Sequence, residues 1–428
     1  MRMSFRPLLA GIAAGVFAAS LSAAAHAQTE LTLLTSSSPN SLKLAEGLVE
    51  AFEAANPDIN IEIETRPGGA EGDNTVKTRL ATGSMTDIFY YNSGSLFQAI
   101  NPQNNLVDLT DEPWQADIHE NFKAVVTSGG RVYGVPAETA MAGGIFYNRK
   151  IYEQLGLQVP KTWDEFMANN EKIKAAGTTP VIQTYRDTWT SQLLLLADYY
   201  NVQSVEPDFA ERYTNNQAKF ASTPAAMKGF ERLEAVHKAG YMNEDFGAAG
   251  YQDGLRMLVE GGGAHYPMLT FAIGAIRATY PEKLGDVGFF AQPGDDAEKN
   301  GLTVWMPASF YIPAASPNVD AAKKFLAFVA SPAGCEANLK ALGATGPFLI
   351  KGCTLPADVP PSVKDMLPYF EEGGRNAPAL EFVSPIKGPA LEQITVEVGS
   401  GIRPAAEAAA LYDEDVRKQA QQLGLKGW

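Results

Sequence analysis

Residues 184–189 of this chain, TYRDTW, bring a guanidinium, a carboxylate and an indole ring together in one short run. Arg186 and Asp187 can exchange hydrogen bonds with hydroxyl groups, and the flat face of Trp189 suits the C–H face of a pyranose ring. The run lies between a predicted strand at 180–183 and an apolar helix at 193–197. Two interpretations stay open: a site that binds such a ring, or a surface ion pair with Trp189 packed beneath the helix.

Small polar residues also follow two strands nearer the start of the chain. The apolar strand at 31–34 leads into a serine run, and the strand at 87–91 leads into an Asn-Ser pair. In open α/β sheets, ligands collect at the carboxyl ends of the strands because the loops diverge there into a crevice. The candidates that this placement gives are Ser37, Ser38, Tyr91, Asn92 and Ser93.

Four further candidates come from later in the chain. Thr270 and Phe271 follow a predicted strand at 264–268, and an aromatic ring there can stack on a ligand. Trp305 is another stacking candidate, although the strand that contains it is otherwise apolar, which makes a core position a rival. Arg375 follows two glycines and would reach the same cleft from a loop, with a solvated loop position as the alternative.

The elements that must position these residues alternate between strand and helix. Ser38 and a following proline open a predicted helix whose apolar residues recur at Leu44, Leu48 and Phe52. Isoleucines then alternate with polar residues over 59–64, as in a half-buried strand. Strand, helix and strand imply a parallel pair with a right-handed crossover.

The same alternation continues through the rest of the chain. Thr162 and Glu165 form a capping box ahead of one predicted helix, and Thr223 with a following proline opens another. Strands are predicted at 287–290 and 302–312. A chain of this length is too long for one hydrophobic core, so at least two domains are expected.

Residues 131–166 carry the most specific pattern, a strand, a crossing, a second strand and two helices in one run. The run contains YGVP at 133–136, a Tyr-Asn pair at 147–148, a Leu-Gly pair at 155–156 and PKTWDEF at 160–166. In these motifs and their spacing the chain resembles extracellular solute-binding proteins, specifically the sugar-binding receptors of bacterial ABC importers. The resemblance covers nearly all of the chain after residue 27 and is specific for the family, not for the ligand.

The resemblance implies an α/β protein with the two-lobe periplasmic binding protein fold of type II. Each lobe is expected to hold a mostly parallel sheet flanked by helices, and hinge crossings join the lobes. Glu138 and Thr139, just past the YGVP strand, are then expected at the ligand. The implied N-terminal lobe consists of residues 28–137 and 290–360, and the C-terminal lobe of residues 138–289 and 361–428.

The resemblance also implies a receptor that changes no bond in its ligand. A carbohydrate that contacts both lobes would stabilise the closed form by its differential affinity for that form. The closed receptor would then deliver the carbohydrate to the permease subunits of an ABC transporter at the inner membrane. A monomer without cofactor is expected.

The first 27 residues predict secretion to the periplasm. Arg2 and Arg6 precede an apolar run at 8–21, and AHA at 25–27 matches a cleavage site, so the mature chain would start at Gln28. The formal net charge is −15 for the whole chain and −17 without these residues, which hold two arginines and no acid. Such a charge argues against nucleic acid as a partner, because nucleic-acid binding needs a basic face.

Cys335 and Cys353 are the only cysteines of the chain. In an oxidising compartment a disulfide between them is expected, which would stabilise the fold by roughly 3 kcal/mol through loop closure. The three histidines after residue 27 stand at no metal-ligand spacing to one another or to a cysteine. No metal site is therefore predicted.

Two alternatives use the same residue types. A secreted glycoside hydrolase needs two carboxylates about 5 to 9 Å apart, and Glu138 with Asp187 is the pair to test. Against it, the sequence has no G-x-S-x-G or H-E-x-x-H motif, and its pattern is that of two interrupted α/β lobes in place of a barrel. The other alternative is the same receptor fold with a different ligand: a polyamine, an iron complex, a phosphoester or a peptide. No single loop of the sequence holds the cluster of residues that would bind such a ligand.

Overall fold

The computed structural model describes residues 28–306, 308–371 and 373–428, so the predicted leader at 1–27 lies outside the described residues. The strands of the described part form two large sheets and one small hairpin. They are β1 (Thr29–Ser36), β2 (Ile59–Arg66), β3 (Ile88–Asn92), β4 (Thr127–Ser128), β5 (Arg131–Val132), β6 (Val135–Pro136), β7 (Met141–Asn148), β8 (Thr179–Val181), β9 (Gly263–Leu269), β10 (Val287–Ala291), β11 (Leu302–Trp305), β12 (Ala308–Tyr311) and β13 (Asn376–Pro378).

Helices cover the faces of both sheets. They are α1 (Pro39–Ala55), α2 (Gly69–Thr82), α3 (Gly94–Gln98), α4 (Pro102–Asn105), α5 (Glu120–Val125), α6 (Arg149–Leu155), α7 (Trp163–Ala175), α8 (Leu193–Ala197), α9 (Tyr199–Val205), α10 (Phe209–Thr214), α11 (Pro224–Lys238), α12 (Tyr251–Glu260), α13 (Ala272–Thr279), α14 (Val319–Val329), α15 (Pro332–Leu342), α16 (Pro361–Met366), α17 (Leu380–Val383), α18 (Leu391–Gly399) and α19 (Ala405–Gln422).

The first sheet has the strand order β2–β1–β3–β12–β6, and its first three strands are parallel. Ser38 caps α1 by accepting a hydrogen bond from the N–H of Ser41, and α1 buries Leu44, Leu48 and Phe52. The predicted strand, helix and strand therefore form, with β2 directly beside β1. This unit places the loop between β1 and α1 at the carboxyl edge of the sheet.

The second sheet has the order β13–β11–β7–β9–β8, and β10 pairs with β7 beyond the end of β11. β7 runs antiparallel to β9, β10 and β11, and β12 runs antiparallel to its neighbours in the first sheet. The sheets are thus more mixed than the expected mostly parallel arrangement. The reason is topological. β7 and β12 each follow a crossing from the other lobe, so they run in the direction opposite to their neighbours in the sheet.

The chain passes between the sheets at residues 137–140, between Trp305 and β12, and over residues 343–360. The second crossing falls later than the expected position near 290, because β10 and β11 both pair with β7. The sequence predicts one strand at 302–312, whereas the structure has two, since Met306 leaves the strand and its carbonyl accepts a hydrogen bond from Ser93. The lobe boundaries stay a prediction.

The first and third crossings lie side by side. Ala140 N–H donates to the Pro347 carbonyl over 2.8 Å, and the hydroxyl groups of Thr139 and Thr345 are 2.8 Å apart. A Cβ atom at Gly346 would lie 2.0 Å from the Ala140 carbonyl oxygen, so only glycine allows this approach. The two crossings therefore form one hydrogen-bonded hinge segment.

The expected disulfide joins Cys335 in α15 to Cys353 in the third crossing. It ties the helix that packs on α1 to the segment that leads into the other lobe. Within the described ranges, no helix combines the length and the apolar character that a membrane span requires.

His265 in β9 is fully buried in the core of the second lobe. Its Nε2 lies 2.7 Å from the Tyr152 hydroxyl, and its Nδ1 lies 2.8 Å from Asn170 Oδ1. The amide oxygen can only accept, so Nδ1 carries the proton and Nε2 accepts from the tyrosine. Burial lowers the pKa of His265 to about 3, so the ring is neutral at physiological pH.

We expect the free energy of unfolding to fall as the pH drops below 6.5, the ordinary pKa of histidine, because the unfolded chain then takes up a proton that folded His265 accepts only near pH 3. The stabilisation that comes from neutral His265 is fully present above pH 6.5. At pH 5 the free energy of unfolding has lost about 2 kcal/mol of it. Urea titrations at both ends of this range check it. His265→Gln, made in a His119→Asn background to remove the other histidine whose pKa burial lowers, should show a much smaller loss, and an equal loss would contradict the assignment.

Candidate functional site

The loops at the carboxyl ends of β1, β2 and β3 form one wall of a candidate cleft. Ser37 and Ser38 are exposed at the start of α1, and the Ser37 N–H donates to the Arg66 carbonyl over 2.8 Å. Asn92 is half-buried at the end of β3, and its carbonyl accepts a hydrogen bond from the Tyr311 hydroxyl. The structure thus brings Ser37, Ser38 and Asn92 to one sheet edge.

Three other predicted residues are buried, and their hydroxyl groups are used by the protein. Ser93 donates to the second crossing, and Thr139 pairs with a threonine of the third. The Thr270 hydroxyl accepts a hydrogen bond from the Ala142 N–H over 3.0 Å. These contacts fix the walls and the hinge, so the structure does not favour direct ligand contact for these three side chains.

Glu138 lies in the first crossing, where its Oε1 accepts a hydrogen bond from the Tyr90 hydroxyl over 2.7 Å. Burial raises the pKa of the Glu138 carboxyl, and the hydrogen bond from Tyr90 offsets part of this effect. Oε2 has no hydrogen-bond partner among the described residues. Glu138 is therefore anchored to β3 of the first sheet.

The predicted pair of Arg186 and Asp187 does not form, because each residue binds α12 instead. Asp187 Oδ2 accepts a hydrogen bond from the N–H of Tyr251, the first residue of α12. The Arg186 guanidinium lies 3.3 Å from Asp253 Oδ2 and is more than half exposed. Asp187 thus anchors the start of α12, and Arg186 remains at the surface beside it.

Three half-buried aromatic side chains meet in the second lobe and are called the aromatic platform here: Trp189, Tyr251 and Phe271. The ring centroids are 5.5 Å apart for Trp189 and Tyr251, 5.9 Å for Trp189 and Phe271, and 5.7 Å for Tyr251 and Phe271. The rings come from three separate segments of chain. Half-buried rings held by one another offer a rigid apolar surface for stacking.

Trp305 lies below this platform and is only 3% exposed, which favours the core position that the sequence left open. Its Nε1 donates to Glu381 Oε1, and Glu381 Oε2 forms an ion pair with Lys387 at 2.8 Å. Phe271 and Phe382 pack against the small cluster that contains Trp305. Trp305 therefore supports the stacking surface and does not form its exposed face.

Arg375 lies apart from the other candidates. It is exposed, and its carbonyl accepts a hydrogen bond from the N–H of Leu302 at the start of β11. Trp305 is at the opposite end of β11, about 10 Å away along the strand. The structure does not bring Arg375 to the platform.

Arg66 at the end of β2 is a candidate that the sequence analysis did not select. Its side chain lies over the Tyr91 ring, with Cζ 5.4 Å from the centroid, and the residue is 5% exposed. Nη1 donates to the Pro67 carbonyl, while Nε is buried without a partner among the described residues. Burial raises the pKa of nearby Asp73, and the charge of Arg66 offsets part of that rise. This edge of the sheet therefore also holds a buried guanidinium that packs on Tyr91.

The two lobes touch on both flanks of the platform. Asn40 Nδ2 in α1 lies 3.4 Å from the Phe271 carbonyl. On the other flank Gly94 has a φ of 65°, and a Cβ atom there would lie 2.6 Å from the Phe382 ring. The first lobe therefore contacts the second lobe at Phe271 of the platform and at Phe382.

Arg66, Tyr251 and Phe382 were not among the predicted site residues, and the sequence carries a signal for only the first of them. Arg66 ends an alternating strand at the same sheet edge as Ser37, so the rule that selected Ser37 also applies to it. Tyr251 and Phe382 are single aromatic residues in or near helices, a pattern that is common in hydrophobic cores. Their proximity to Trp189 and Trp305 arises only from tertiary packing.

Two curated relatives are named after sugars. The chain is 26% identical over 292 residues to the multiple sugar-binding protein of Streptococcus mutans, and the match spans 66% of each protein. It is 24% identical over 327 residues to the melibiose/raffinose/stachyose-binding protein MelE of Bacillus subtilis, spanning 74% of this chain and 73% of MelE. The match to the first of these relatives thus falls just short of two thirds of its length.

Solved structures show the same fold. A chitin oligosaccharide binding protein superposes with a TM-score of 0.78 at 21% identity, covering 92% of this chain and 100% of the other. The RafE binding protein in complex with raffinose gives a TM-score of 0.75 at 22% identity with the same coverage. The predicted resemblance and two-lobe fold class are confirmed. Residues 36–334 match the bacterial extracellular solute-binding proteins, and the chain belongs to that family.

Proposed function

We propose that this protein is the periplasmic substrate-binding component of an ABC transporter and that its ligand is a sugar. The observation that carries the proposal is the aromatic platform of Trp189, Tyr251 and Phe271, where Phe271 lies beside Asn40 of the other lobe. Stacked rings bind the C–H faces of a sugar, while hydroxyl, amide and guanidinium groups bind its hydroxyls. The sugar-related names of the relatives support the same class of ligand.

Ligand binding would act through the hinge. A sugar that touches the platform and the edge of the first sheet binds more tightly when the lobes are closed, and it shifts the population toward that form. The crossing segments around Thr139 and Thr345 are hydrogen-bonded to each other, so they can serve as the axis of this movement. The closed form is the state that we expect the permease subunits to recognise.

The proposal assigns no catalytic step to the cleft. Asp187 accepts a hydrogen bond from a backbone N–H at the start of α12, and Glu138 in the first crossing accepts one from the side-chain hydroxyl of Tyr90. The only acid pair that the sequence nominated for hydrolysis therefore consists of two residues that each stabilise their own part of the framework. Export by the leader at 1–27 and a monomeric receptor complete the proposal.

Differential scanning fluorimetry against a panel of neutral, acidic and amino sugars tests the ligand class. We expect one or more neutral saccharides to stabilise the protein by about 2.7 kcal/mol when the ligand is present at 100 times its Kd. Chromatography of the same mixtures after overnight incubation should show each saccharide intact. Release of smaller sugars would instead indicate a hydrolase, and stabilisation by polyamines or phosphoesters alone would replace the sugar with another cargo.

A further inference from the structure

A depression lies between the two lobes and is lined by Phe382, which packs on the same small cluster as Phe271 of the aromatic platform. It is a surface groove of about 480 Å³, which is within the range of small-molecule sites, roughly 300 to 1,000 Å³. Its first-lobe wall is formed by α3, α4, α5 and the β4–β5 hairpin, and its second-lobe wall by α17 and the end of the chain. An occupant of this groove would therefore contact both lobes.

The chemistry of the groove is uncharged throughout. None of its lining residues carries a formal charge, although Asp, Glu, Lys and Arg make up 19% of the chain. Amide and hydroxyl groups come from Gln98, Asn101, Gln103 and Ser128, and apolar surface comes chiefly from Phe382, Pro385 and Leu425. This mixture suits a neutral ligand with many hydroxyl groups and apolar ring faces, and it offers a charged ligand no counter-ion.

The groove and the proposed sugar cleft share a bordering side chain. Phe382 lines the groove and also packs against the cluster that contains Trp305, on which Phe271 of the platform rests. Gly94 touches Phe382 from the other lobe, so the same contact borders both the cleft and the groove. A saccharide that extends from the platform past Phe382 would reach the groove.

We propose that this groove binds the outer rings of a neutral oligosaccharide whose first rings stack on the platform. The inference rests on the proposed function and extends it, because it assigns the ligand a length beyond what the platform alone can hold. Longer neutral saccharides then bind more tightly than shorter ones of the same linkage. They also add contacts between the lobes and so favour the closed form more strongly.

Isothermal titration calorimetry with length series tests this assignment. The probes are melibiose, raffinose and stachyose, together with chitooligosaccharides and xylooligosaccharides of two to five rings. In whichever series binds, we expect affinity to rise about tenfold or more from the shortest to the longest member. Val383→Arg, which places a long side chain at a groove residue that is 46% exposed, should remove this rise and leave the shortest member unaffected.

A second groove variant and a control variant complete the experiment. Gln103→Arg narrows the groove from the exposed side of the other lobe and should act like Val383→Arg even if that variant folds poorly. Val205→Arg is the matched control, since Val205 is 58% exposed at the end of α9 and does not line the groove. Equal affinity along a series, or an unchanged rise in both groove variants, would overturn the groove assignment alone. Absence of binding by every saccharide would overturn the proposed function itself.

Discussion

Replacing Trp189 by alanine is expected to weaken saccharide binding about a hundredfold, or about 2.7 kcal/mol. The indole ring contacts Tyr251 and Phe271, so its removal deletes one of the three stacking surfaces and leaves the other two without lateral support. Aromatic side chains at the centre of a binding site carry a large share of its energy. Calorimetric titration with the best saccharide of the panel measures the loss directly.

The matched control is Trp163→Ala. Trp163 is also half-buried, but it packs on Phe166 and beneath the Arg232 guanidinium, in the hydrophobic cluster of the second lobe. This variant should lower the free energy of unfolding and leave Kd unchanged. If Trp189→Ala instead lowers stability and retains full affinity, Trp189 is a core residue and the platform is not the binding surface.

Replacing Arg232 by methionine is expected to destabilise the protein by about 3 to 5 kcal/mol. Arg232 in α11 and Asp198 at the start of α9 form a buried ion pair, with side chains only 5% and 2% exposed. Arg232 also contacts Asp295 at 2.8 Å. Loss of the guanidinium would leave Asp198 buried without its cation, and burial already raises the pKa of that carboxyl. Urea-induced unfolding of the variant at neutral pH measures the change.

Asp198→Asn separates two contributions to the loss of stability: the loss of the ion pair and the burial of the unpaired Asp198 carboxylate. The double variant Arg232→Met/Asp198→Asn should be more stable than Arg232→Met alone, because the remaining amide needs no counter-charge. Lowering the pH should also reduce the cost of Arg232→Met, since Asp198 then takes up a proton. Additive effects of the two substitutions would show that the pair does not interact.

The local elements could be predicted because their signals are local. The apolar period of α1, its Ser38 cap and the alternating β2 lie within one short segment, and the capping box of Thr162 and Glu165 does start α7. The break at Met306 has a local signal too, because the next residue is Pro307, which has no N–H for a strand ladder. The hydrogen bond from Ser93, more than two hundred positions earlier in the chain, is a contact that only the tertiary structure shows.

The same distinction runs through the candidate site. The rule that polar loops gather at the carboxyl ends of strands correctly put Ser37, Ser38 and Asn92 at one edge. It could not show that the hydroxyl groups of Ser93, Thr139 and Thr270 form hydrogen bonds within the protein. Nor could it show that Arg186 and Asp187 both contact α12. Those outcomes depend on which partners the fold brings near.

The sequence by itself determined the family and the fold class, because motif spacing, residue period and residue type are all properties of the chain read in order. Tertiary structure alone decided which aromatic side chains meet, where the chain returns to the first sheet, and that Arg66 is buried with an unused donor. A contact between distant segments depends on the packing of both lobes at once. No local pattern around Trp189, Tyr251 or Phe271 encodes the distance between their rings.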